Sequence, residues 1–93
     1  MNPKPYLRKL LKADGTVADY PPKGKRYTLE ELQAAVGGYI EVHHIHDGSL
    51  LLVINEEGKL HRLPVNDRAT ELYDNPNDVV VGDVLVCGRK DIK

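Results

Sequence analysis

The sequence predicts an α+β fold: a mostly antiparallel sheet that could be barrel-like, with one main helix and one short helix in the order β-β-α-β-β-β-α-β. Three observations predict it. Thr28-Leu-Glu-Glu-Leu-Gln-Ala-Ala-Val-Gly-Gly38 carries a full set of helix start and stop signals. Leu50-Leu-Leu-Val-Ile54 is an unbroken apolar run, as in a strand buried on both faces. The remaining apolar runs are short and separated by Asp-Gly or Glu-Gly turns, which suit antiparallel connections.

Residues 6–12 read as a first strand. Asp14-Gly15 turns the chain, and residues 16–20 return as a second strand of a hairpin. Pro21-Pro22 ends the ladder because neither residue has a backbone N–H to donate. In the helix, Thr28 is the N-cap and Glu31 has the capping-box spacing. Tyr27 and Leu32 stand where a hydrophobic staple packs, and Leu29, Leu32, Ala35 and Val36 form an apolar stripe. Gly37 fits the left-handed position that ends a helix.

Residues 39–46 follow as a strand with Ile40 and Val42 on one face, and Asp47-Gly48-Ser49 turns it back into 50–54. After Glu56-Glu57-Gly58, residues 59–65 complete a three-stranded meander. Asn66 can cap a short helix through Tyr73, with Asp67 favourable in its first turn. Residues 74–78 are a loop, and 79–87 a last strand or tight strand pair bent at Gly82-Asp83.

Ninety-three residues make one domain. With no Trp, no Phe and five Tyr, its core must be Leu, Val and Ile, as suits a small sheet covered on one face. Residues 1–27 are a basic hairpin and loop, with seven Lys/Arg against two Asp/Glu; residues 28–93 are an acidic helix-meander-helix-strand body. The lone Cys87 can make no internal disulfide, and no apolar segment is long enough to span a bilayer. With no signal-peptide pattern at the start, the composition reads as a cytoplasmic protein without membrane contact.

The histidines His43, His44, His46 and His61 invite a metal reading. Alternation puts His44 and His46 on one face, as weak candidate ligands, and His43 on the other; the meander order places His61 two strands away. A core-edge role for His44 fits its continuation of the Ile40/Val42 face. For catalysis, Ser49 lacks a nucleophile-elbow setting, Cys87 ends an apolar strand, and Glu56/Glu57 sit in a turn. No catalytic constellation emerges, and no cofactor is expected. Basic residues interleaved with Tyr6, Tyr20 and Tyr27 resemble a nucleic-acid track, but a net charge of −1 and a pI near 6.4 argue against it.

Asn66, Arg68 and Thr70 cluster at a predicted helix start, where free N–H groups and a guanidinium favour an anion. An N-cap with a surface arginine paired to Glu71 or Asp67 explains them equally well. Tyr39 and Tyr73 could be stacking walls for a base, or could close the core.

Three segments carry a family resemblance: Thr28–Val42 (TLEELQAAVGGYIEV), Leu63–Tyr73 (LPVNDRATELY) and Gly82–Val86 (GDVLV). The chain resembles, from about Leu11 to Val86, a family of small proteins known as a domain of unknown function and common in bacteriophages and bacterial mobile elements. The Asn2–Pro5 extension and the histidine run depart from the pattern. The resemblance implies a phage or mobile-element origin, hence a host cytoplasm, and transfers no catalytic residue. By analogy with small phage proteins it implies sequestration: of a small anionic, nucleotide-like ligand, often at subunit interfaces of a homo-oligomer, or of a host protein as an anti-defence inhibitor.

Overall fold

In the computed structural model, which describes residues 4–92, five strands form one antiparallel sheet. They are β1 (Lys9–Leu11), β2 (Val17–Asp19), β3 (Ile40–Ile45), β4 (Leu50–Asn55) and β5 (Val84–Gly88). Helix α1 (Leu29–Val36) precedes β3, and helix α2 (Asp67–Tyr73) lies between β4 and β5. The fold is therefore α+β, as predicted. The spatial order β2-β1-β5-β4-β3 leaves β2 and β3 as open edges, so the sheet does not close into a barrel. Residues 1–3, which begin the Asn2–Pro5 extension, lie outside the described residues.

Alternation along the strands feeds two cores, correcting the expectation of a sheet covered on one face only. Leu10, Leu51, Val53, Leu85 and Cys87 pack with Leu32, Ala35 and Val36 of α1. Leu11, Leu50, Leu52, Val84 and Val86 pack with Ala69 and Leu72 of α2. A sheet with a helix on each face needs central strands that are apolar throughout, which is what β4 and β5 supply.

The predicted strand at residues 59–65 does not form. The segment is a succession of turns, and only Val65 makes a bridge, to Val81. The reason lies in β4: β3 takes one of its edges and β5 takes the other, so no edge is left for a meander strand. His61 consequently lies in a turn, its Nε2 4.0 Å from Glu57 Oε1, and not two strands from β3. The first strand is also shorter than predicted. Residues 4–6 form a 3-10 turn and Arg8 has φ +59°, although its N–H still reaches the Val86 carbonyl.

Local signals hold at α1. Thr28 and Glu31 form the reciprocal capping box, and Gly37 at φ +78° ends the helix. Tyr27 and Leu32 share a core, but Leu29 is half-exposed and so drops out of the predicted stripe. Gly38 is needed for close approach: a Cβ there would stand 2.9 Å from Asn55 Nδ2. That amide donates to the Val36 carbonyl, satisfying the helix end from across the sheet.

Candidate functional site

The residues singled out from the sequence fall into two groups. Asn66, Arg68 and Thr70 all lie at the start of α2, but their polar atoms are turned to three different parts of the protein's own chain. Asn66 is buried; its Oδ1 accepts from the Ala69 N–H at 3.0 Å, and its Nδ2 donates to the Leu11 and Gly82 carbonyls, both at 2.8 Å. Thr70 Oγ1 accepts from the Val80 N–H at 2.9 Å and donates back to the Val80 carbonyl at 3.3 Å. The Arg68 guanidinium lies over the Tyr6 ring, 5.6 Å from its centroid, and donates to the Tyr6 hydroxyl and the Gly15 carbonyl. The open depression beside it is lined by Asp14, Asp67 and Glu71 as well as by Lys12 and Arg68.

Tyr39 and Tyr73 are not brought together. Tyr39 precedes β3, is 65% exposed and borders a shallow depression with His61 and Gln33. Tyr73 ends α2 on the opposite face. His44 and His46 are both exposed, correcting the core-edge reading of His44, and φ at His46 is +53° as the chain leaves β3. Among the described residues no group of three or more His, Cys, Asp or Glu side chains converges to hold a metal ion.

A cleft of about 140 Å³ instead gathers Tyr73 and His43 with residues given no role in the sequence, among them Glu41, Lys59 and Asp78. It opens on the α2 side of the sheet. Leu52 and Ile54 of β4 make its floor, Val79, Val80 and Val81 one wall, and Glu41 and His43 of β3 the other. Tyr73 closes one end, its ring edge-on to His43 with centroids 5.0 Å apart. His43 Nε2 meets Glu41 Oε2 at 2.6 Å, because alternation puts residues two apart on the same face of β3. At the other end Lys59 is paired with Asp78. The Lys59 ammonium, followed by the Val79 N–H, holds the Asp78 carboxyl below the usual carboxylate range. The Glu41/His43 pair is legible as an i, i+2 spacing, but its meeting with Tyr73, Lys59 and Asp78 depends on tertiary packing.

Volume and charge limit what the cleft can take. Its size is close to that of a cavity that holds a benzene-sized guest, roughly 150 Å³. Glu41, Glu56 and Asp78 outnumber Lys59 as formal charges around it, so it disfavours an anion and suits a ring bearing hydrogen-bond donors. Cys87 lies in the other core, fully buried, and burial pushes its thiol up to about 12, the behaviour of a structural cysteine.

Compared with known families, a model described as a domain of unknown function (DUF3846) matches residues 10–93. No curated protein and no solved structure matches the chain.

Proposed function

This chain belongs to the DUF3846 family, a domain of unknown function, and from that premise we propose that it is a small non-enzymatic binding protein holding a ring-sized ligand in the Glu41–His43–Tyr73 cleft. One observation carries the reading: Glu41 and His43, paired at 2.6 Å, form one wall of a largely apolar slot that Tyr73 also lines. The ligand class is a neutral or cationic heterocycle with an amino group, such as a nucleobase, whose N–H edge meets Glu41 and whose face meets Tyr73 or His43. Sequestration of such a molecule in a phage or mobile-element setting is the biological role that this reading supports.

An anionic ligand at Asn66, Arg68 and Thr70 has less support. Two of those side chains are consumed inside the fold, and carboxylates surround the third. The second reading, an inhibitor that binds a host protein, draws on Tyr39 before β3 and Leu60 within the 56–65 turns, exposed by 65% and 74%.

Isothermal titration with adenine and with adenosine monophosphate tests the cleft. Adenine is expected to bind more tightly than its phosphorylated form, and Glu41→Gln is expected to weaken it about tenfold by removing one charge-assisted hydrogen bond. Equal affinity of wild type and Glu41→Gln for adenine, or a preference for the monophosphate lost in Arg68→Ala, would remove the cleft as the site. A stoichiometric complex with a host protein in pull-downs, together with no heat from either compound, would favour the inhibitor.

A further inference from the structure

Strand β3 is a six-residue sheet edge with a defined hydrogen-bonding parity. The Tyr39 carbonyl accepts from the Glu56 N–H at 2.9 Å, so odd-numbered residues exchange bonds with β4. Ile40, Val42 and His44 therefore turn their backbone N–H and C=O groups away from the sheet, and no strand lies on that side among the described residues. The Ile40 and Val42 side chains pack on the α1 face, while Glu41 and His43 lie on the cleft face.

We propose that a second copy of this chain pairs with that edge, β3 against β3, antiparallel about a two-fold axis at Val42. The parity and the charges select this register. A two-fold axis normal to the sheet keeps each face on its own side, so the axis must pass through a residue and not between two. Centred on Glu41, the pairing sets two like carboxylates against each other. Centred on His43, it opposes two imidazoles and leaves Glu41 beside Ile45. Centred on Val42, it opposes Glu41 to His43 of the second copy twice over, Val42 to Val42, and Ile40 to His44. In that register Ile40, Val42 and His44 are hydrogen-bonded pairs, so each outward backbone group gains a partner.

Glu41 and His43 also line the cleft, so the second copy supplies a charged group beside each cleft mouth and completes its rim. The inference rests on the edge itself and stands whether or not the cleft holds a nucleobase.

The association is measured by sedimentation equilibrium over a hundredfold range of concentration. The expected result is a reversible monomer–dimer equilibrium. Val42→Pro deletes an outward N–H that β4 does not use, so it is expected to leave circular dichroism unchanged and give a monomer. Glu41→Lys is expected to weaken the dimer about tenfold, and the exchanged pair Glu41→Lys with His43→Glu to restore it. Hydrogen exchange on the unaltered chain gives a second readout: amides of Val42 and His44 become protected as concentration rises. A monomer at every concentration, a dimer indifferent to both Val42→Pro and Glu41→Lys, or Val42 and His44 amides unchanged by concentration each overturns the proposal.

Discussion

Asn66 separates two physical roles that the sequence alone superimposes. As an N-cap its side-chain oxygen accepts from the Ala69 N–H; as a buried amide its nitrogen also ties the Leu11 carbonyl of β1 to the Gly82 carbonyl before β5. Asn66→Ala removes both roles. Loss of the cap costs about 1 kcal/mol. Two carbonyls in a site only 1% exposed each lose a donor, at about 1 kcal/mol apiece, for a total near 3 kcal/mol. That is a large part of the roughly 5–14 kcal/mol expected of a domain this size. Asn66→Asp is the informative partner variant. Asp and Asn cap about equally well, so a residue that only capped would tolerate the exchange. Here the second carboxylate oxygen would face two carbonyl oxygens in a dry site, and the expected cost equals or exceeds that of Asn66→Ala. Urea unfolding at neutral pH, followed by circular dichroism and extrapolated linearly, measures both variants. An Asp variant within about 0.5 kcal/mol of wild type would refute the amide's role as a tie between strands.

Three further outcomes follow from the same geometry. Arg68→Ala should fold normally and lose about 0.5–1 kcal/mol, the worth of a part-exposed cation–π contact, in the same urea assay; an unchanged midpoint would return Arg68 to the list of uncommitted cations. Cys87 should resist a thiol reagent at pH 8.5 until urea unfolds the chain. Because its folded pKa is raised above the ordinary value near 9, the unfolded state loses the proton first, so stability should fall as pH rises through 9 and beyond; urea midpoints at pH 8 and pH 10 test the sign, which Tyr27, raised by burial, shares. Gly38→Ala should cost about 1–3 kcal/mol by pushing Asn55 from the end of α1, and Asn55→Ala in the Gly38→Ala background should cost less than the sum of the single changes.

The elements set by local chemistry were legible in the chain itself. The capping box and terminal glycine fix α1 wherever it packs, because they satisfy the backbone groups of its own ends. The Asn66 cap and the doubly buried run of β4 were legible for similar reasons, since capping and burial leave a residue-type signature at fixed spacing. Pairing left no such mark. Val84–Gly88 and the absent strand at 59–65 compete for the same edge of β4, and the contest is decided by buried area: Val84, Leu85, Val86 and Cys87 are all fully buried, whereas Leu60 stays exposed. That choice made β5 central, left β3 as an edge and folded residues 56–65 into turns.

The candidate site depended on the same choice. Asn66, Arg68 and Thr70 read as one cluster in the sequence, yet a polar side chain near a helix start looks the same whether it faces a ligand or a neighbouring carbonyl. The Glu41/His43 pair follows from alternation within one strand. Its cleft mates come from residues 52, 54–56, 59, 73 and 78–81, and only packing α2 and the chain after it against β3 and β4 brings them within reach. Sequence thus determined which segments could form a helix or a strand, because that is settled within a few residues by backbone hydrogen bonding and side-chain periodicity. The tertiary structure alone decided which edges pair, which faces are covered and which polar groups remain available to a partner, because those depend on contacts between residues far apart in the chain.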